Sequence, residues 1–588
     1  MKGQKARSVE SSASSRVPLR ECTILLAWAV VVSFLVLAAA ALGDGWPQNH
    51  EGVAAVHRMM AVVGQWEAGN AMPVWSSVLH QGMGSPMPGL YHKSFMFLSS
   101  AIFALTGGVK MAVVGALLSF SVLAFMGVAA AAVAAFGRAY WPAGALAGTL
   151  LLTSNYATTD WLVRGAFAEY SAVAAIAALM VPLIRLVRLG IWSRWIGPGM
   201  ALLMVSHMAL ALFVPFLFAV GLMVAARIHA LDWRALLRRM GGSGLVAVAL
   251  SFPFLMPVVA FSGYNDTTEL LSEGLRPGNN FIDPINYMWD RAWTWGDTWE
   301  GFTVQFDLYV FPLVLGALAL VVLRAAGVRP AAGGEHRKPS GEVERGLSAI
   351  VLFLLGGFAF YLLLQMRIAA PVYEMMPGAR YLQFPWRLQA YTTVTSVLLV
   401  SAVVVGLWRQ RSFAAKWGAL MLSILSIFVS LNSSPAISGL RYPTIADMRV
   451  HGPGEADYLA GGEFGPRPPP GTELPRYAHL ASQFAMASTG ECAVERVDWD
   501  GFVEASELRF RVACNQGGDA RFPLFVAPGM NVRLGDGTPA SLYRTCTDAR
   551  ARLDLPAGEN MVVIGMPSWW SLLMSRLRSE PTRTRDYC

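Results

Sequence analysis

Apolar runs of about twenty residues most limit what this chain can fold into, because that length matches a helix crossing a bilayer. The first is "TILLAWAVVVSFLVLAAAAL", residues 23–42. Comparable runs recur near 109–137, 140–157, 165–184, 243–262, 307–325, 347–366, 388–408 and 417–432. In hydrocarbon a backbone must satisfy its own hydrogen bonds, so each run reads as a helix. Hydrophobic residues make up 55% of the chain and charged residues 14%, against about 25% charged in a soluble domain. The net charge of +8 sits in short loops between apolar runs, which is how charge fixes topology. It gives no reason to expect a nucleic-acid partner.

The tail 1–20 carries Lys2, Lys5, Arg7, Arg16 and Arg20 and is predicted to be cytoplasmic. The run after it lacks a small-residue cleavage site and reads as a retained span, roughly 22–42. The segment 196–227 poses a parity test. One crossing would put Arg227, Arg234, Arg238 and Arg239 outside. Two short crossings turning at His207 keep them inside, as the positive-inside rule prefers. The result is a polytopic α-helical membrane protein with about eleven transmembrane helices over 21–432. Its first outer loop, 43–93, includes a surface helix in "EGVAAVHRMMAVVGQWEAGN" that stops at Gly69-Asn70. Trp46, Trp66 and Trp75 there read as interfacial, and "SFMFLSSAIFALTG" (94–107) is too short to span comfortably.

Residues 433–588 are less apolar. After the linker "PRPPPG" come "LRFRVAC", "FPLFVAPG", "NVRLGDG" and "ARLDLPAGENMVVIG". These alternating segments predict an extracytoplasmic β-sandwich-like domain. Four of the five cysteines lie here, Cys492, Cys514, Cys546 and Cys588. Four cysteines allow three pairings, or free thiols, and spacing does not choose. "SWWSLLM" (568–574) is too short to span and reads as a segment resting on the membrane surface.

The outer face collects the unusual polar residues. "GDGWPQNHEG" places Asp44, His50 and Glu51 just past the first span, followed by His57, Arg58, His80, His92 and Lys93. The second outer loop holds Asp160, Arg164 and Glu169, and the last holds Arg380 and Arg387. Ionisable groups at the edge of a helical bundle are candidates for function. Arg164 can bind phosphate bidentately, but a snorkelling arginine or an Arg–Glu pair fixing a helix end explains it as well. Arg380 and Arg387 beside Tyr381 and Trp386 fit an aromatic belt equally. His207 fits helix packing as well as chemistry. The acidic loop 263–306 is most simply solvated. No H-E-x-x-H zinc signature, Walker loop or dinucleotide fingerprint occurs. A reaction outside without ATP needs an activated substrate.

Several segments carry a resemblance: "HRMMAVVGQWEAGNAMPVW", "GMGSPMPGLYHKSF", "WLVRGAFAEY", "SHMALALF" and "LQFPWRL". With an acidic residue just past the first span, they resemble the GT-C superfamily of integral membrane glycosyltransferases. More narrowly, they are similar to bacterial membrane proteins labelled "6-pyruvoyl-tetrahydropterin synthase-related", although nothing here suits pterin-synthase chemistry. The resemblance covers most of 20–432. It implies a bacterial inner-membrane enzyme facing the periplasm. The donor would be a polyprenyl-phosphate-linked sugar and the acceptor a lipid-linked glycan, polysaccharide or protein. Asp44 or Glu51 would act as base in an inverting displacement. His50, His57, Arg58, His92, Lys93, Arg164, Glu169, His207, Arg380 and Arg387 would bind substrate. The superfamily's closely spaced acidic pair is replaced by Asp44 and Glu51 with six residues between, so the base stays open between them. No cofactor is required, and a divalent metal is allowed because some relatives use one. A transporter of a lipid-linked intermediate would instead call for mid-span charges and inverted repeats. A non-enzymatic scaffold for envelope glycan assembly would not need Asp44 or Glu51.

Overall fold

The computed structural model describes residues 19–42, 49, 51–79, 82–229, 231–264, 275–288, 304–307, 309–325, 341–409, 417–418, 421–422, 424–425, 491–497, 504–545, 550–577 and 586–587. Asp44, His50, His80, Cys546, Cys588, the tail 1–18, the linker 466–471 and most of the run 417–432 lie outside the described residues.

Among the described residues, seven helices are long and apolar enough to cross a membrane. They are Leu19–Ala38, Val109–Phe136, Phe167–Leu189, Met208–Ile228, Trp233–Phe261, Leu347–Leu364 and Pro385–Trp408. Lys93–Thr106, Ile196–Ser206 and Val310–Ala319 are apolar but shorter. The expected count of about eleven also included 140–157 as a crossing. Its helix, Trp141–Leu152, stops after 12 residues. Ser154 ends it by capping a new turn, its side chain accepting from the Ala157 amide. The expected break at His207 is present: one helix ends at Ser206 and the next starts at Met208.

The chain forms two compact units, Met1–Asn49 with Ala116–Leu250 and Glu273–Leu440, and His50–Gly115 with Ser251–Ser272 and Arg441–Cys588. In the first unit the helices pack through small residues, as bundles in lipid do. A Cβ on Gly127 would lie 2.8 Å from the Ala177 carbonyl carbon, so only glycine lets Val109–Phe136 approach Phe167–Leu189 so closely.

The second unit holds two sheets. One has the order β1 (Cys492–Arg496), β2 (Glu507–Cys514), β8 (Gly558–Gly565), β4 (Asn531–Leu534), β5 (Pro539–Ala540). The other runs β3 (Gly518–Phe525), β7 (Arg550–Leu555), β6 (Tyr543–Thr545), β9 (Asp586–Tyr587). Period-two alternation in β2 turns Leu508, Phe510, Val512 and Cys514 inward. Phe510 of one sheet meets Phe522 of the other at 5.1 Å between ring centroids. The same core contains Val74, Trp75, Met256, Phe261 and Tyr264. Trp75, read above as interfacial, is only 1% exposed.

Cys492 and Cys514 sit opposite each other in the β1–β2 register and are bonded. The bridge closes a loop of 22 residues, for which chain-entropy arguments give about 3 kcal/mol. Reduction, or Cys514→Ser, should therefore lower the unfolding midpoint of the strand-rich region, measured by protease resistance. Equal midpoints with and without reductant would show that the bridge contributes nothing.

Candidate functional site

In the first unit the ends of several helices converge on one charged cluster. The chain leaves Asn155–Thr158 into a wide π-helical turn, Thr159–Arg164, closed by Gly165 at φ 67°. That backbone state suits glycine and strains other residues. The turn sets Asp160 and Arg164 on one face, with Arg164 Nη1 2.5 Å from Asp160 Oδ1. Glu169 lies in the first turn of Phe167–Leu189, where the helix dipole favours a carboxylate. Its Oε2 is 3.0 Å from Arg164 Nη1 and 3.1 Å from Arg387 Nε. Tyr156 donates its hydroxyl proton to Glu169 Oε1 and also lies 2.9 Å from the Arg387 carbonyl. All these side chains are nearly buried; Arg387, the most open, is 12% exposed.

Aromatic rings and hydrogen-bond acceptors fix the arginines. The Arg164 guanidinium lies 4.5 Å from the Trp386 ring centroid, and that of Arg387 lies 4.9 Å from Phe384. Arg387 Nη1 donates to the Leu382 carbonyl at 3.0 Å and Gln383 Oε1 at 3.1 Å. Gln383 itself holds φ at 62°, the sole positive-φ non-glycine among the described residues. Such strain persists where the surroundings over-determine it.

His207 is buried behind the pair. Its Nδ1 accepts from the Leu210 amide at 3.2 Å, capping the next helix. Burial, then Arg387 and Arg164, depress its pKa and keep the ring neutral. Burial and the Glu169 charge push the Asp160 carboxyl upward, and Arg164 pulls against them; upward wins. Asp160 Oδ2 has no hydrogen-bond partner among the described residues.

The spans Phe167–Leu189, Met208–Ile228 and Pro385–Trp408 thus all begin at this cluster. The segment 304–307 is tied to the same end: Asn155 Nδ2 donates to the Gln305 carbonyl at 2.7 Å, and its amide to Asp307 Oδ1 at 3.1 Å. Gln389 reaches the Val304 carbonyl. The structure therefore brings together Arg164, Glu169, Arg387 and His207. It adds Asp160, whose i,i+4 spacing to Arg164 was visible in the sequence, Trp386, visible only as an aromatic neighbour of Arg387, and Tyr156, for which no local signal existed. Arg380 is exposed, stacked on Tyr381 at 5.3 Å, and takes no part.

Of the first-loop candidates, Glu51, His57, Arg58, His92 and Lys93 are described and lie in the second unit. Glu51, 37% exposed at its side chain, is 3.7 Å from the buried Arg58 guanidinium. Arg58 lies 3.9 Å above the Tyr91 ring, and the His92 ring centroid is 5.3 Å from the same ring. Burial and Arg58 lower the His57 pKa to about 4. Lys93 is buried, its Nζ donating to the Tyr91 carbonyl at 2.5 Å, and burial lowers its pKa to about 7. No sequence signal marks Glu504, whose carboxylate takes bonds from Gln65 Nε2 at 2.8 Å, the Ser77 amide at 2.7 Å and the Ser76 hydroxyl.

Lys93 yields a pH prediction. Unfolded, it keeps its proton up to its ordinary pKa of 10.5, whereas folded it releases it near 7. Between those values the unfolded state binds more protons, so stability rises with pH. Lys93→Met should flatten that rise in thermal melts taken from pH 7 to 10; an unchanged slope would refute the assignment.

Among the described residues no three His, Cys, Asp or Glu side chains are grouped to hold a metal ion.

No family model matches the chain, and no curated protein matches it. Solved structures do. One is the oligosaccharyltransferase AglB of Archaeoglobus fulgidus, in complex with an inhibitory peptide and a dolichol-phosphate. It shares 12% identity over 79% of this chain and 63% of its own, with a TM-score of 0.43. Another is the Archaeoglobus fulgidus oligosaccharyltransferase tethered to an acceptor peptide, at 13% identity, 78% and 62% coverage and TM-score 0.42. The arabinofuranosyltransferase AftD from Mycobacteria shares 13% identity over 94% of this chain and 40% of its own, with a TM-score of 0.43. The chain spans less than two thirds of the length of each.

Proposed function

We propose that the protein is a GT-C-type membrane glycosyltransferase. It would move a sugar from a polyprenyl-phosphate donor to a glycan, lipid or protein acceptor on the extracytoplasmic face. The observation that carries this reading is the convergence of three apolar helix N-termini on Arg164 and Arg387, both held by Glu169. Helix N-termini and guanidinium groups together favour a phosphate, and the helices themselves face lipid. Trp386, Phe384 and Gln383 fix both cations in advance, as stabilisation of a leaving phosphate requires. The Cys492–Cys514 bridge supports an oxidising, extracytoplasmic placement of the strand-rich region.

In this reading the acceptor hydroxyl attacks the anomeric carbon as the bond to the phosphate oxygen breaks. Asp44 or Glu51 takes the hydroxyl proton, and the polyprenyl phosphate leaves with the electron pair. A single displacement inverts the anomeric centre. Arg164 and Arg387 receive the developing phosphate charge, and Glu169 keeps them in place. Arg58 and Lys93 serve the donor or acceptor near Glu51.

The test is transfer from radiolabelled polyprenyl-phosphate sugars in membranes carrying the wild type, Asp44→Asn or Glu51→Gln. Loss of a general base removes about 10²–10⁴-fold in rate, so one of the two variants should fall by that factor at normal protein level. Equal transfer by all three, or none by the wild type with any donor tried, would reject the reading.

A further inference from the structure

The short helix Trp569–Leu577 presents two different faces. Leu572 is fully buried in the strand core, and Trp569 and Leu573 pack against that core. On the other side Trp570 is 69% exposed, Met574 41% and Leu577 69%. The spacing of i, i+4 and i+7 makes these three one continuous stripe. An exposed stripe of large apolar side chains calls for an occupant.

What the helix is fastened to identifies it. Trp569 Nε1 donates to the Pro253 carbonyl at 2.9 Å. That carbonyl is orphaned, because its usual helical partner four residues on is Pro257, which has no N–H. At the other end Arg576 Nη2 donates to the Val259 carbonyl at 2.7 Å, in the last turn of the same helix, an oxygen that also accepts from Ser262 Oγ at 2.8 Å. Trp569 also meets Phe252 edge-on at 6.1 Å. The two contacts are seven residues apart on the short helix and six apart on the long one. At 1.5 Å per residue these rises agree to about 2 Å, so the short helix runs alongside the end of Trp233–Phe261 rather than across it. Trp233–Phe261 is apolar enough to span a membrane. Its neighbouring side chains Leu250, Phe252 and Val259 are themselves 52%, 43% and 61% exposed. Such a surface needs lipid.

We infer that Trp569–Leu577 is a lipid-contacting anchor, its Trp570–Met574–Leu577 stripe buried in the leaflet at the Phe261 end of Trp233–Phe261. The occupant is the bilayer. The stripe is continuous with the lipid-facing surface of the helix it is bonded to, tryptophan favours the bilayer interface, and Arg576 lies where the spanning helix ends. The strand-rich region is thereby held at the membrane surface by a contact independent of the charged cluster, and the inference stands whether or not sugar is transferred.

The test is photocrosslinking of the full-length protein in phosphatidylethanolamine–phosphatidylglycerol nanodiscs. A benzophenone amino acid is placed singly at Trp570, Met574, Leu245 on the spanning helix, or Arg533 on β4, and adducts are read by mass. Lipid adducts at 570 and 574 should come within about two-fold of position 245 and exceed position 533 by about ten-fold or more, because a helix running along the end of a spanning helix shares its leaflet. Yields at 570 and 574 equal to that at 533 would overturn the inference. So would adducts there to a second copy of the chain in place of lipid.

Discussion

Replacing Glu169 with alanine should destabilise the helical unit by about 3–5 kcal/mol, the range for removing one partner of a buried ion pair. The expected size follows from what Glu169 neutralises. A single oxygen, Oε2, faces Arg164 Nη1 at 3.0 Å and Arg387 Nε at 3.1 Å. Asp160 is a poor substitute for Arg387, because its Oδ1 already serves Arg164 at 2.5 Å and burial pushes its carboxyl upward, toward the neutral form. Arg387 would keep only the Leu382 carbonyl and Gln383 as acceptors, both uncharged. Glu169→Gln should cost less, since the amide keeps one acceptor oxygen, for Tyr156 or for the arginines, although the charge and the second acceptor are lost. Arg387→Met in the Glu169→Gln background should restore part of the loss, because one unpaired buried cation is then gone. The measurement is the thermal midpoint in detergent for the three variants. Equal midpoints for wild type and Glu169→Ala would show that the cluster is not holding the helix ends together, and the electrostatic part of the functional proposal would fall with it.

Much of the helical framework was legible because lipid imposes a simple rule. The run read as 109–137 is the helix Val109–Phe136, and 388–408 is Gln389–Arg409. Basic residues located the break at His207 without any help from hydrophobicity. The rule failed at 140–157. Leu146, Leu150, Leu151 and Tyr156 are buried in protein, and hydropathy does not distinguish that from burial in lipid. The strands were legible for an equally local reason: alternation in "LRFRVAC" is β2 and "MVVIG" is the end of β8. Of the charged cluster, Asp160, Arg164 and Glu169 lie within ten residues and could be seen together. Arg387 joins them from more than two hundred residues away, and no sequence spacing announces that. The disulfide was underdetermined until the β1–β2 register set Cys492 opposite Cys514.

The largest thing hidden from sequence was the core of the strand-rich region, and it gives the other strong prediction. Trp75→Ala should unfold or loosen the strands 491–577, although Trp75 lies more than four hundred residues earlier. The indole is 1% exposed within the core that contains Phe510, Phe522 and Ile564, and it packs on Phe261 at 6.2 Å and Tyr264 at 6.1 Å. Removing a buried aromatic of that size costs about 3–5 kcal/mol, a large part of the stability of one domain. The same junction carries the Glu504 carboxylate on Gln65, Ser76 and Ser77, and the Phe525 amide on the Met83 carbonyl at 2.9 Å. A strand domain bonded in this way is finished by the first loop rather than folded before it. Gly84→Ala supplies a second route to the same effect. Its Cβ would stand 2.5 Å from Trp75 Cζ2 at a backbone φ of +92°, so the indole would have to move. Limited proteolysis compared on reducing and non-reducing gels reads both variants: the Cys492–Cys514 loop should be nicked at protease levels the wild type resists, the fragments separating only on reduction. If both variants keep wild-type resistance there, the strands fold without the loop and Trp75 merely rests on them.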